Sequence, residues 1–121
     1  MDLLPSIEQR RSIRRYTEDQ IPRELLLTLL QAASWAPSAH NRQPWRFVVV
    51  QGIGQKEELA AAMGERLRVD RLAAGDAPED VAQDVERSRQ VLTGAPVLVL
   101  LCMSMVEMDK YSDARRAHAE W

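Results

Sequence analysis

The sequence predicts an α+β fold in which amphipathic helices alternate with two short apolar strands. The runs from Phe47 to Val50 and from Val97 to Met103 are continuous and apolar, as expected for buried strands. Because two strands do not make a stable sheet alone, either another chain completes the sheet or the chain is part of a longer one, and we favour the second. A helix to about Trp35 is predicted by apolar residues at spacings of three and four, namely Leu25, Leu26, Leu29, Leu30 and Ala33.

A short helix and two connections complete the part of the chain before the first strand. The helix is predicted from about Leu3 to Arg10, and a polar connection follows from Arg11 to Gln20. Pro22 suits the first position of the leucine-rich helix because its missing N–H donor costs nothing there. A long loop before the first strand is marked by Pro37, Ser38, Asn41 and Pro44.

The segment after the first strand is predicted to form a helix with one apolar face. Gly52 and Gly54 close the strand, and Glu57 and Glu58 suit the first turn of the helix because carboxylates complement the helix dipole. Periodicity is lost from Arg68 to Pro78, which predicts a surface loop. The apolar face of the helix consists of Leu59, Met63 and Leu67.

A fourth helix is predicted between Pro78 and the second strand. Gly94 and Pro96 end it, and the polar residues after Glu107 predict the start of a further helix. The predicted order is therefore helix, helix, strand, helix, helix, strand, helix. One face of the fourth helix is outlined by Val81, Val85 and Leu92.

Composition and charge favour a single globular domain in the cytoplasm. The 121 residues carry a net charge of -2, so the molecule as a whole has no electrostatic attraction to nucleic acid or anionic lipid. No stretch approaches the ~18 apolar residues of a membrane span, and the N-terminus lacks the pattern of a signal peptide. The single cysteine, Cys102, excludes an intrachain disulfide and fits a reducing compartment. We expect no membrane or nucleic-acid partner.

Positive charge is concentrated in the arginine segment, residues 10–16. Four arginines within six positions repel one another, which indicates either a nearby anion or full solvation. In an extended segment alternate side chains share one face, which would bring Arg10, Ser12 and Arg14 together. Two guanidinium groups and a hydroxyl match a phosphate through charge-assisted bonds. The alternatives are a solvated basic turn and a nucleic-acid-binding segment, which lacks the expected aromatic residues and basic total.

A second group of polar residues forms the tryptophan loop, residues 35–45. It places small residues, amides and a hydroxyl between two tryptophans, directly before a strand. Amide and hydroxyl groups on a rigid loop suit a neutral ring with alternating donors and acceptors, such as the pyrimidine edge of a flavin. The alternative is a structural loop with a tryptophan packed on the core. His40 is a candidate proton donor, although a loop histidine more often faces solvent or packs.

Together the two segments resemble the FMN-dependent nitroreductase family. The matches are Arg-x-Ser-x-Arg at Arg10 to Arg14 and Pro-Ser-x-x-Asn-x-Gln-Pro-Trp at Pro37 to Trp45, with a leucine-rich helix between them. A strand introduced by Gly94-Ala95-Pro96 is also typical. The resemblance implies a three-layer fold with a central mixed, mostly antiparallel sheet flanked by helices. Residues 1–121 would form one such domain, truncated at its C-terminal side.

The resemblance implies binding roles for individual residues. Arg10 and Ser12 would bind the ribityl phosphate of FMN, with Arg11 assisting through its backbone. Arg14 would lie toward the pyrimidine side of the ring, where a cation stabilises the negative charge of reduced flavin. Arg89, before the second strand, would also reach the ring. The FMN held by one subunit of a homodimer would be contacted by loop residues of the other: Pro37, Ser38, Ala39, Asn41 and Gln43.

The implied reaction passes hydride from NADH or NADPH through FMN to a nitroaromatic, a quinone or a similar small acceptor. The cofactor supplies the chemistry, so no catalytic side chain and no metal ligand is named. A reductase of a deazaflavin-coenzyme precursor is the alternative within this class, because residues 40–46 and 108–116 look like that branch. Outside it, the alternatives are a non-catalytic flavin-binding protein and a nucleic-acid-binding module.

Overall fold

The computed structural model describes residues 3–106. Within them, the two strands are hydrogen-bonded neighbours in one small sheet. The predicted order of helices and strands is confirmed from the first helix to the second strand, and the helix predicted after Glu107 lies outside the described residues. The elements are α1 (Leu3–Gln9), α2 (Arg23–Ser34), a 3₁₀ turn (Ala39–Asn41), β1 (Trp45–Val50), α3 (Ile53–Ala73), α4 (Pro78–Gly94) and β2 (Leu98–Met103).

The described part of the chain divides into two compact units. Unit 1 contains residues 3–22 and 49–99, and therefore α1, the arginine segment, α3 and α4. Unit 2 contains residues 23–48 and 100–106, and therefore α2 and the tryptophan loop. The two groups of residues singled out in the sequence thus belong to different units.

In unit 1, α3 and α4 pack closely against each other. Val81 is 1% exposed and Ala60 is 3% exposed. Gly64 is also buried, and a Cβ atom built on it would lie 3.0 Å from Cγ1 of Val85. Carbon atoms in favourable contact are about 3.5–4.0 Å apart. Because Gly64 has no side chain, α4 lies closer to α3 than an alanine at this position would allow.

A buried lysine connects the start of α3 to the end of α4. Lys56 is 6% exposed, and its Nζ donates a hydrogen bond of 2.8 Å to the carbonyl oxygen of Ala95. The last carbonyls of a helix have no partner within the helix, and a cation complements the negative end of the helix dipole. Lys56 therefore stabilises the end of α4 and fixes the point from which the chain enters β2.

The bounds predicted for α3 were wrong at both ends. The helix already begins at Ile53, so Gly54 lies in its first turn and Glu57 and Glu58 lie in its second. It continues to Ala73, through most of the predicted loop. Its buried positions are Lys56, Ala60 and Gly64, a stripe that contains no large apolar side chain. Hydrophobic periodicity therefore missed the buried face, and Met63 of the predicted face is 50% exposed.

Ion pairs lie along the part of α3 that lacks an apolar pattern. Arg68 lies 2.7 Å from Glu65, and Arg66 lies 2.9 Å from Asp70. Pairs at these spacings each add a few tenths of a kcal/mol to helix stability, about 0.2–0.5 kcal/mol. The hydrogen bond from Arg68 also lowers the pKa of the Glu65 carboxyl. These pairs contribute modestly to the stability of the helix where the sequence predicted a loop.

One arginine joins the end of α3 to the turn and to α4. Arg71 donates from Nε to Asp76 over 2.6 Å, and its Nη1 pairs with Asp84. These two hydrogen bonds raise the pKa of Arg71. Because Asp76 follows α3 and Asp84 lies in α4, the guanidinium fixes the angle of the short connection between the two helices.

Unit 2 buries little of its apolar surface in the described residues. Leu26 of α2 is buried, but Leu25 and Leu29 are 51% and 54% exposed. In β2, Leu101 is 71% exposed. Exposed apolar surface of this kind is typical of interaction surfaces, which agrees with the expectation that these two strands need further neighbours. None of the described helices is both long and apolar enough to cross a membrane.

Candidate cofactor-binding site

The arginine segment brings Arg10 and Ser12 together. It forms neither helix nor strand and is exposed along its whole length. Nη1 of Arg10 donates to Oγ of Ser12 over 3.2 Å. The remaining N–H groups of the Arg10 guanidinium and the hydroxyl hydrogen of Ser12 are donors that one anion can share. The pair therefore has the composition of a phosphate site.

Arg11 has a different local role from its neighbours. Its Nη1 donates to the carbonyl oxygens of Glu8 and Arg10, both over 2.9 Å. Glu8 belongs to the last turn of α1, so the guanidinium satisfies a carbonyl at the helix C-terminus, where a cation is favourable. This side chain is directed to the backbone of its own segment.

The last three residues of the arginine segment, Arg14, Arg15 and Tyr16, line a cavity against α4, which we call the α4 cavity. Its volume is about 530 Å³. Tyr16 donates its hydroxyl hydrogen to the carbonyl oxygen of Ile13 over 3.1 Å, which fixes the turn of the segment beside the cavity. The lining contains three guanidinium groups and no carboxylate, and consists of Arg14, Arg15, Tyr16, Arg87, Gln90, Val91 and Gly94.

The positive charge of the α4 cavity is only partly balanced. Among the described residues, Arg14 and Arg15 make no ion pair, whereas Arg87 lies 3.1 Å from Asp84. Asp84 also pairs with Arg71, so its single negative charge is shared. The cavity therefore carries surplus positive charge and would attract an anion.

Arg89, which the sequence predicted to reach the ring, is held by two carboxylates. It lies 2.9 Å from Glu86 and 3.3 Å from Glu57 of α3. Its hydrogen bonds, with one from Gln90, lower the pKa of Glu86 to about 2, and Glu86 in turn raises the pKa of Arg89. Contact with a ring would require this guanidinium to leave both carboxylates. The prediction for Arg89 stays untested.

Sequence reasoning missed Arg87 and Gln90. Along an α-helix, positions i, i+3, i+4 and i+7 share one face. The four α4 residues that line the cavity have this spacing and therefore lie on one face of the helix. Arg89 is two positions from Arg87, about 200° around the helix at ~3.6 residues per turn. Arg87 and Arg89 therefore lie on nearly opposite faces of α4, and only Arg87 faces the cavity. The face consists of Arg87, Gln90, Val91 and Gly94.

In unit 2, hydrogen bonds hold three of the predicted loop residues together. The backbone N–H of Gln43 donates to Oγ of Ser38 over 2.9 Å. The Gln43 side-chain amide donates to Oδ1 of Asn41 over 3.2 Å. The N–H of Asn41 in turn donates to the carbonyl oxygen of Ser38 over 3.0 Å, closing the 3₁₀ turn that starts at Ala39. Ala39 and the preceding Pro37 are both exposed.

The backbone of the tryptophan loop is strained. His40, Asn41 and Gln43 have φ angles of 52°, 53° and 50°, in the left-handed region. This region costs an L-residue roughly 1–2 kcal/mol, and asparagine and histidine adopt it more often than most residues, so Gln43 carries the largest penalty. Such strain clusters at binding and active sites, where the surrounding structure holds it.

A second cavity lies within unit 2 and is almost entirely apolar. Its volume is about 360 Å³. It includes the free thiol of Cys102, which is exposed, and the described residues contain no cluster of side chains suited to hold a metal ion. The cavity is lined by Ala33, Ala36, Pro44, Trp45, Phe47, Leu101, Cys102 and Met103.

Comparison with known proteins identifies the family. The family model described as the nitroreductase family matches residues 7–121, nearly the whole chain. The chain belongs to the nitroreductase family. Residues 108–116, quoted above for the deazaflavin branch, lie outside the described residues.

Named relatives in the family come from bacteria and archaea. The chain is 48% identical over 66 residues to a protein of Thermus thermophilus named NADH dehydrogenase. It is 42% identical over 59 residues to a putative NADH dehydrogenase/NAD(P)H nitroreductase of Methanothermobacter thermautotrophicus. These matches span 54% and 49% of this chain but only 32% and 31% of the relatives.

Solved structures of similar proteins share the fold. An iodotyrosine deiodinase bound to FMN and 3-iodo-L-tyrosine matches with a TM-score of 0.64 and 27% identity, over 83% of this chain and 55% of that one. An FMN-dependent nitroreductase of Clostridium difficile matches with a TM-score of 0.62 and 28% identity, over 87% of this chain and 46% of that one. The chain therefore has the nitroreductase-like α+β fold and spans about half the length of these structures.

The donors present in unit 1 fit FMN. The cofactor combines a dianionic phosphate with a ring whose pyrimidine edge gains negative charge on reduction, and unit 1 supplies a guanidinium–hydroxyl pair and a separate cationic cavity. Bidentate guanidinium donors suit phosphate, and fixed positive charge suits the reduced ring.

Proposed function

We propose that the protein is an FMN-dependent oxidoreductase that passes hydride from NADH or NADPH through FMN to a small acceptor such as a nitroaromatic or a quinone. The observation that carries the proposal is the pairing of Arg10 with Ser12 in the same unit as a cavity with surplus positive charge. The names of the Thermus and Methanothermobacter relatives support a nicotinamide reductant. The FMN bound to the similar deiodinase supports the cofactor.

In this proposal Arg10 and Ser12 bind the phosphate, and the backbone N–H of Arg11 adds a third donor. Arg10 and Ser12 already lie within hydrogen-bond distance of each other, so little rearrangement is needed to share one phosphate. The Arg11 side chain is committed to carbonyl oxygens. Arg14 lies at the α4 cavity and is free of ion pairs among the described residues, so its charge is available to the ring.

We further propose a homodimer in which the tryptophan loop of one subunit covers the FMN held by the other. The strained backbone and the network of amide and hydroxyl groups favour a binding role for this loop. The exposed apolar side chains of unit 2 favour a covering chain. The contacting residues would be Pro37, Ser38, Ala39, Asn41 and Gln43.

The proposal includes a cytoplasmic location and a single family domain that extends beyond these residues. NADH and NADPH are cytoplasmic reductants, and the exposed thiol of Cys102 would stay reduced there. The cofactor supplies the redox chemistry when bound. The protein supplies phosphate binding, orientation of the ring and positive charge.

Anaerobic absorption spectroscopy of the purified protein tests the proposal. We expect a protein saturated with FMN to lose its visible absorption on addition of NADH or NADPH and to regain it on addition of a quinone or nitroaromatic. A flavin spectrum that neither reductant bleaches would instead indicate a non-catalytic flavin-binding protein. Salt-dependent binding to DNA or RNA without a flavin spectrum would indicate a nucleic-acid-binding module. A native mass of one subunit would contradict the homodimer.

A further inference from the structure

Gln43 has the least favourable backbone conformation in the tryptophan loop. Its φ angle is 50°, in the left-handed region that asparagine, aspartate and histidine adopt several-fold more often than other non-glycine residues. Gln43 also precedes Pro44, and the residue before a proline prefers extended backbone with φ near about −120°. Because both preferences oppose the observed conformation, contacts within the folded loop must hold it.

The hydroxyl of Ser38 provides the contact that acts directly on this backbone. Ser38 precedes the 3₁₀ turn, at the position from which a serine usually caps a helix, but its side chain makes no capping hydrogen bond to that turn. Its Oγ instead accepts the backbone N–H of Gln43 over 2.9 Å. The carbonyl oxygen of Pro44 accepts the N–H of Ser104 over 2.7 Å. Gln43 is therefore restrained at its own N–H by Ser38 and at the following residue by the segment after β2.

The restrained backbone determines where two side-chain amides lie. With Gln43 held in this conformation, its Nε2 donates to Oδ1 of Asn41 over 3.2 Å. Both side chains are exposed. An amide group carries two N–H donors and an oxygen acceptor, so the bond between the two amides leaves each of them able to pair with a ligand as well. The pair presents donors and acceptors side by side, as a ring edge with both C=O and N–H groups requires.

We infer that Ser38 is a positioning residue for the cofactor: its hydroxyl oxygen holds Gln43 in the left-handed conformation, which aligns the amides of Asn41 and Gln43, and the hydroxyl does not itself bind the flavin. The inference rests on the proposed function, in which this loop covers the FMN of the partner subunit. It differs from the direct contact that the family resemblance implies for Ser38. A pair of amides that is fixed before FMN binds loses less conformational entropy on binding, so the hydroxyl increases the affinity from a distance.

The first test is the affinity for FMN of Ser38→Ala, which removes the hydroxyl and keeps the backbone. We expect the affinity to fall about fivefold, the equivalent of one hydrogen bond. Ser38→Thr keeps the oxygen, and threonine suits the extended backbone of Ser38, with φ −140° and ψ 155°, so it should restore the affinity. Ser34→Ala is the matched control, because the Ser34 hydroxyl donates to the carbonyl oxygen of Gln31 at the end of α2 in the same unit. It should leave the affinity unchanged.

A double-mutant cycle with Gln43→Asn separates positioning from direct contact. Asparagine tolerates left-handed backbone and keeps an amide, so residue 43 then depends less on Ser38. In that background Ser38→Ala should lower the affinity for FMN by less than about twofold, because sites that share a contact are not additive. An equal loss of affinity in both backgrounds would show that the hydroxyl acts on the flavin directly, and the inference would be wrong.

Hydrogen exchange of the Gln43 N–H, followed by NMR in the protein without flavin, tests the restraint independently of binding. Ser38→Ala should accelerate this exchange about fivefold, whereas Ser38→Thr and Ser34→Ala should leave it unchanged. Unchanged exchange in Ser38→Ala overturns the inference, and so does accelerated exchange with an unchanged affinity for FMN. If the exchange responds as expected but the unmodified protein binds no FMN, it is the proposed function that fails.

Discussion

The contact between Gly64 and Val85 determines how closely α4 approaches α3, and a single methyl group tests it. In Gly64→Ala the new Cβ would lie 3.0 Å from Cγ1 of Val85. Alanine is better than glycine within a helix by about 1 kcal/mol, but an overpacked core costs about 1–3 kcal/mol. Valine in a helix has essentially one side-chain rotamer, so Cγ1 cannot rotate away. We expect a net loss of about 1 kcal/mol in the free energy of unfolding.

A double-mutant cycle isolates this contact. Val85→Ala removes the obstructing methyl groups, so in that background Gly64→Ala should stabilise by about the 1 kcal/mol of helix propensity. The two backgrounds then differ by about 2 kcal/mol, a coupling typical of residues in contact. Gly54→Ala, in the same helix, is the control, because a Cβ there would meet nothing within 4 Å. That variant should not be destabilised.

Urea unfolding followed by circular dichroism measures these differences through the midpoint at constant m-value. Because Arg87 and Gln90 follow Val85 on α4, we also expect Gly64→Ala to weaken FMN binding and the double variant to recover it. Equal stabilisation by Gly64→Ala in both backgrounds would refute the close approach of the two helices. A change in stability without any change in FMN affinity would refute the link between this contact and the α4 cavity.

Three further predictions concern charged groups. Arg10→Ala should weaken FMN binding by about 1.5–3 kcal/mol, the range for a hydrogen bond to a charged group, and equal FMN retention after dialysis would contradict its role. Arg71→Ala should lower the melting temperature, by less in 1 M salt because its ion pairs are partly exposed; a salt-independent loss would point to packing instead. The pKa of Glu86 is lowered from 4.5 to about 2, so its ion pair stabilises the protein above pH 4.5 and is lost as the pH falls toward 2. The difference in melting temperature between the protein and Glu86→Gln should therefore shrink across that range, and a constant difference would exclude the linkage.

Much of the fold could be predicted from local features of the sequence. Pro78 and Gly94 bound α4, and an apolar run predicted β2 to within one residue. The bounds of α3 were missed because its buried stripe is a lysine, an alanine and a glycine, residues that hydrophobic periodicity does not count as a core face. Lys56 is buried because it satisfies a carbonyl at the end of another helix, a long-range contact that no local pattern contains.

The candidate site was only partly predictable for the same reason. The pairing of Arg10 with Ser12 follows from their spacing, and the structure shows it. The part played by α4 depends on its helical register and on which arginines meet carboxylates. Arg87 faces the cavity, whereas Arg89 meets Glu57 from α3. The left-handed backbone at His40 and Gln43 was also invisible in the sequence, because neither is a glycine.

A crystal structure of the protein with FMN bound is the most direct test of the central claim, that the arginine segment binds the phosphate of a flavin. We expect phosphate oxygens within about 2.7–3.2 Å of Arg10 Nη1 and within hydrogen-bond distance of Ser12 Oγ, with the pyrimidine edge of the ring toward Arg14. A structure in which FMN is bound elsewhere, with Arg10 and Ser12 facing solvent, would contradict it.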